Sequence, residues 1–155
     1  MRRSKSWTDL RFLGDQGSAS VEFITVGLLL LVPMVYLVLA LSSIQSASFA
    51  VEGAARQASR VFVQSDAVEG GEAAAARAIA VTLADYGLDA GNAEISISCR
   101  PDPADCLTRR GFVTVSISIV APLPLFPAVL GTDIPPGVTI DSVSTEQVSR
   151  FAGSD

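Results

Sequence analysis

From Phe23 to Ile44 the chain runs 22 residues without a charged side chain. At roughly 1.5 Å per residue, a helix of that length reaches about 30 Å, the thickness of a bilayer's hydrocarbon core. The apolar core of a secretory signal peptide is usually about 7–15 residues, so this run is long for one. Leu28 to Val32 and Val35 to Leu41 supply the apolar bulk. Gly27 and Pro33 are both tolerated in membrane helices, although Pro33 frees one backbone carbonyl. Residues 1–17 hold four cations, Arg2, Arg3, Lys5 and Arg11, against the two acids Asp9 and Asp15. That excess predicts a basic cytoplasmic leader, a transmembrane helix over 18–44 and an exported remainder over 45–155.

Composition narrows the functions further. The 155 residues are 49% hydrophobic and contain no His and two Cys. Without His there is no Ser–His–Asp triad and no His-bearing metal site, and two Cys alone do not make a structural zinc site. A net charge of −5 and a pI near 4.6 argue against nucleic acid as a partner. No phosphate-binding glycine motif follows a strand-like run. No cofactor, no metal and no catalytic residues are expected.

Beyond Ile44 the helical pattern continues. Val51, Ala54, Ala55, Ala58 and Phe62 fall at helical spacing, with Glu52, Arg56 and Arg60 on another side, which predicts a helix over 45–63. Asp66 to Gly71 reads as a break. A second helix is expected over 72–86, with Ala75, Ile79, Leu83 and Tyr86 on one face and Gly87 as its stop. The period then shortens to two. Strands are expected over 94–99, 112–120 and 138–150, and Ile95 and Ile97 should share a face with Val113, Val115, Ile117 and Ile119. The fold class is α+β: a small antiparallel sheet with one buried face, covered by amphipathic helices. Five prolines between Pro122 and Pro136 argue against a central strand there. The apolar residues among them, Leu123, Leu125, Phe126, Val129 and Leu130, are expected to pack within the domain. Export would put Cys99 and Cys106 where a disulfide can form between the first two strands; two free thiols are the alternative.

One charge stands at the head of the apolar run. Glu22 follows Gly17-Ser18-Ala19-Ser20-Val21 and precedes Phe23. An acid at the edge of a membrane span costs free energy unless it reaches headgroup water or finds a partner. The string, set between a basic leader and a long apolar helix, resembles the processing site of type IV prepilin-like proteins. In that family a prepilin peptidase cuts after a Gly on the cytoplasmic side. The resemblance implies a cut after Gly17 and a new N-terminus at Ser18, with Glu22 as the acid near it and Phe23 following. The freed Ser18 amine and the Glu22 carboxylate of the same or a neighbouring subunit would neutralise one another when subunits come into register.

Length and element order resemble the TadE-like minor pilins, or pseudopilins, of the tight-adherence (Tad, Flp) pilus system. The similarity is strongest over Gly17 to Val63. Where members often carry a Pro, this chain has Leu28, and its nearest Pro is Pro33. The resemblance implies a pilin-like fold and a role in pilus assembly. It makes the chain a substrate of an enzyme and not an enzyme. The implied partners are a prepilin peptidase, the Tad membrane platform proteins, other pilin-like subunits and the lipid bilayer. The implied location is the cytoplasmic (inner) membrane, crossed once with the N-terminus inside, and entry into the fibre stays open. Two other readings compete. One is a membrane-anchored extracellular binding domain without processing. The other is a secreted domain cut after Ala50, at Ser48-Phe49-Ala50.

Overall fold

The computed structural model describes residues 18–124 and 137–152. The chain divides into two compact units, Met1–Leu39 and Ala40–Asp155. Helix α1, Ser18–Val63, is continuous over 46 residues and supplies parts of both.

In the first unit α1 is apolar on every side. Its Leu, Val, Ile, Phe and Met side chains between Val21 and Leu39 are exposed or nearly so. A helix with no polar stripe needs an apolar surround, and this one is long and apolar enough to cross a membrane. Thr25 is compatible with that setting, because its hydroxyl donates to the Val21 carbonyl at 2.7 Å. Pro33 sits inside the helix without breaking it. Its missing N–H leaves one carbonyl of the preceding turn without its usual donor.

In the second unit the remainder of α1 becomes one-sided. Ala47, Ala50, Val51, Ala54, Ala55, Ala58 and Phe62 are buried, while Glu52 and Arg56 form an exposed ion pair one turn apart. Such a pair is worth a few tenths of a kcal/mol. Helix α2 spans Val68–Asp85 and buries Gly71, Ala75, Ile79 and Leu83. The expected break therefore closes earlier: α2 opens at Val68 and runs straight through Gly70-Gly71. The reason is tertiary. A Cβ on Gly71 would lie 3.3 Å from three atoms of the Phe62 ring, so the bare glycine gives that ring its seat. Tyr86 also departs from expectation, since it is 48% exposed at the C-cap. Gly87 takes φ +71°, and Leu88 N–H returns to the Leu83 carbonyl at 2.9 Å, ending the helix before Tyr86 can turn inward.

A short 3-10 turn, Ala90–Asn92, leads into the sheet. Strands β1 (Ala93–Arg100), β2 (Phe112–Pro122) and β3 (Gly137–Gln147) pair antiparallel in the order β1-β2-β3. Ile95 lies opposite Ile117, Ile97 opposite Val115 and Cys99 opposite Val113, so the apolar residues share one face as expected. The central strand β2 carries most of the buried surface through Val113, Val115, Ile117, Ile119 and Ala121. It ends on Pro122, paired with Gly137, where a missing ladder N–H matters least. The third strand stops at Gln147, short of the expected residue 150, and Val148 instead turns into the core. Leu125, Phe126, Val129 and Leu130 lie outside the described residues.

Helices and sheet meet in one cluster that joins Val51 and Phe62 of α1, Ile79 and Leu83 of α2, and the inner face of β2. Ser59 is its buried polar member. Its hydroxyl meets the Ser144 hydroxyl of β3 at 2.9 Å and the Arg56 carbonyl at 3.0 Å, so it is satisfied. The other face of the sheet is rich in Ser and Thr, and Thr114 and Thr145 join their hydroxyls across it at 2.9 Å.

Cys99 and Cys106 are joined, with Cα atoms 5.0 Å apart. The bridge ties the end of β1 to its loop. That loop in turn holds the C-terminal segment: Arg110 N–H donates to the Val148 carbonyl, Val148 N–H to the Gly111 carbonyl, and Arg109 Nε to the Ala152 carbonyl. Closing so short a loop contributes about 2.5 kcal/mol in the chain-entropy model. A Cys99→Ser, Cys106→Ser double variant should lose about that much stability, read from the urea midpoint against the oxidised protein. A loss below about 0.5 kcal/mol would show that the loop is held without the bridge.

Candidate functional site

The site singled out by the sequence lies at the head of α1. Gly17 is outside the described residues. Ser18 is the first described residue and lies in α1. Glu22 and Phe23 both lie on the exposed surface of the helix, Phe23 at 80%. Among the described residues no cation pairs with Glu22. Val21, Glu22, Thr25 and Val26 border a shallow depression of about 490 Å³ on this one helix. Their spacing sets the carboxylate beside apolar side chains on neighbouring turns. Chemically this arrangement can accept a cation in apolar surroundings.

A second feature lies in the other unit, where sequence reasoning had named nothing. A groove of about 810 Å³ runs between the end of α1, the disulfide loop and the C-terminal segment, bordered by Asp66, Asp105, Arg109 and Phe151 among others. Two of its charged groups, Asp105 and Arg109, are committed to local structure. The Asp105 carboxylate accepts from Leu107 N–H at 3.3 Å, and Arg109 holds the Ala152 carbonyl at 2.8 Å. No group of three or more Cys, Asp or Glu suited to a metal ion occurs among the described residues. The only sequence signal for this groove was a scatter of Asp at turns, which is also the ordinary signal of a turn.

The Ser48-Phe49-Ala50 string falls inside α1. Ala47, Ala50 and Val51 are core residues, so a cut after Ala50 would strip Ala47 and Ala50 from the packed stripe.

No family model, curated protein or solved structure matches the chain.

Proposed function

We propose that the chain is a minor pilin or pseudopilin acting in the assembly of a Tad/Flp-type pilus, processed by a prepilin peptidase after Gly17. The observation that carries this reading is the construction of α1. One helix carries Ser18, exposes Glu22 and Phe23, and continues as an apolar rod. Past residue 46 the same helix supplies the central stripe of a small α+β domain. A subunit that waits in a bilayer and then packs its rod against those of its neighbours needs this combination. A plain anchor needs only the rod, and gains nothing from an acid at its head. In the proposed role the Ser18 amine, the Glu22 carboxylate and the prepilin peptidase act before assembly, and the platform proteins and other pilin-like subunits act during it. The protein resides in the cytoplasmic membrane with its domain outside.

The mature N-terminus of the protein from the membrane fraction, determined by mass spectrometry, tests this. A start at Ser18 is expected. A start at Met1 would overturn processing and leave an anchored binding domain. A start at Val51 would make the chain a secreted domain.

A further inference from the structure

The Ser43 hydroxyl donates to the Pro122 carbonyl at 3.4 Å. Ser43 is the last residue but one of the uncharged run Phe23–Ile44. Where that run leaves a bilayer, Pro122 is therefore at the same level. So are the end of β2 and the start of β3, because Pro122 pairs with Gly137. Beyond this point α1 follows β3, and Ser59 meets Ser144 further along the strand. The rim at this end is apolar and uncovered. Val120 is 50% exposed and Val138 38%, Pro122 is exposed and Leu123 partly so. The sequence from Gly111 to Thr132 holds no charged residue. The backbone here is also poor in donors. Pro122 and Pro124 have no N–H, and the Pro122 carbonyl is engaged by Ser43. A segment set against lipid needs its backbone polar groups absent or satisfied. Leu88, Ile119, Val120 and Pro122 border an open groove of about 480 Å³ at this end, and Asp89 and Asn92 border it too. The Asp89 carboxylate accepts from Gly91 N–H at 2.9 Å. Polar groups set behind an apolar rim match the order of a membrane surface, where headgroups lie outside the acyl chains.

We propose that this rim, formed by Val120, Pro122, Leu123 and Val138, rests on the surface of the bilayer that α1 crosses. Leu123 and Val138 then lie at the boundary between headgroups and acyl chains, about 5–10 Å into the surface. The occupant is lipid because of where the rim is tied. Ser43 holds it at the level where the apolar run ends, and at that level lipid surrounds the chain at any protein concentration. The four rim residues carry no charge, so the contact is with the apolar boundary and selects no charged headgroup. A helix that crosses alone leaves its domain free to turn about the exit point. A second contact beside the helix holds the domain against the surface. This inference rests on the membrane span alone, and neither processing nor a pilus is required for it.

Depth-dependent fluorescence quenching tests it on the full-length protein in phosphatidylcholine vesicles. Trp7 is the one tryptophan of the chain, so a Trp7→Phe background has none. Leu123→Trp, Val138→Trp, Phe112→Trp and Met34→Trp are introduced into it one at a time. Met34 lies within the apolar run, and its replacement should be quenched most by lipids brominated near the chain ends. Phe112, at the far end of β2, is roughly 33 Å along the strand from Pro122 and should stay unquenched. Leu123→Trp and Val138→Trp should be quenched most by lipids brominated high on the chain, and at least about twofold more than Phe112→Trp. The two rim positions flank the end of the sheet from β2 and β3, so a misfolded variant at one leaves the other to decide. Rim tryptophans as open to aqueous iodide as Phe112→Trp, and as untouched by bromolipid, would overturn the proposal. Rim tryptophans shielded from iodide yet untouched by bromolipid would also overturn it, because protein and not lipid would then cover the rim. An unquenched Met34→Trp would remove the span and the proposal with it.

Discussion

A Gly17→Ala variant is expected to accumulate in the membrane with its first 17 residues still attached. The proposed cut requires the residue before the scissile bond to present no side chain, and Ala adds the smallest group that breaks that condition. The change lies outside both the apolar run and the packed domain, so the domain should fold as before. Intact mass of the membrane-fraction protein separates the outcomes: Ser18 as first residue in the unaltered chain, Met1 in the variant. Incorporation into assembled fibres should be lost with processing, because the Ser18 amine is never freed. A Glu22→Gln chain divides the roles. It should be cut normally and still fail to assemble, since the amide cannot neutralise the new cation in apolar surroundings. If Gly17→Ala is processed like the unaltered chain, the pilus reading loses its main support.

Phe62→Ala should destabilise the domain by about 3–5 kcal/mol, the range for emptying a fully buried aromatic site. Phe62 is 0% exposed and belongs to the single cluster joining α1, α2 and the sheet. Its ring lies against Gly71, whose missing side chain leaves room for it and offers nothing to refill the space. The cavity should therefore stay open. Thermal unfolding of the full-length protein in micelles should fall by about 10–20 °C. Gly71→Val should be harmful alone, because its branches enter the ring's place. Combined with Phe62→Ala it should recover part of the loss, giving a coupling well outside additivity. Independent, additive losses would show that the two residues do not share that space.

The parts of the fold legible in the sequence were those where one period persists. The stripe Val51, Ala54, Ala55, Ala58 and Phe62 is buried throughout, because a helix on a sheet hides residues at that spacing and no others. The alternation over Ile95–Cys99 and Phe112–Ile119 likewise gave a shared face, and the register pairs those residues directly. The parts that escaped reading depended on contacts between distant residues. Gly70-Gly71 carries the local signature of a break, and only Phe62 gives Gly71 a reason to be helical. Tyr86 looked like a core residue because it is aromatic and in phase, but Gly87 ended the helix first. Strand β3 was weakly marked because its inner face holds Ser142 and Ser144, and Ser144 meets Ser59 of α1 in place of an apolar neighbour. Ser18, Glu22 and Phe23 are named from the sequence, and the structure adds that all three are helical and that Glu22 and Phe23 are exposed. The groove beside Asp66 and Asp105 could not be foreseen, since three segments far apart in sequence build it.

The hydroxyl contact between Ser59 and Ser144 spans 85 positions of the chain. A ribosome delivers the α1 stripe first and its cover last. Throughout that interval Val51 and Phe62 have no sheet to lie on, and Val148, which completes the cluster, arrives later still. Local pieces such as α2 and the β1–β2 hairpin can form on the way, but the core must wait for loops of this length to close. The newborn protein is thus a thread with a bare apolar helix at its front. It is prone to stick to its own kind until the final strand arrives.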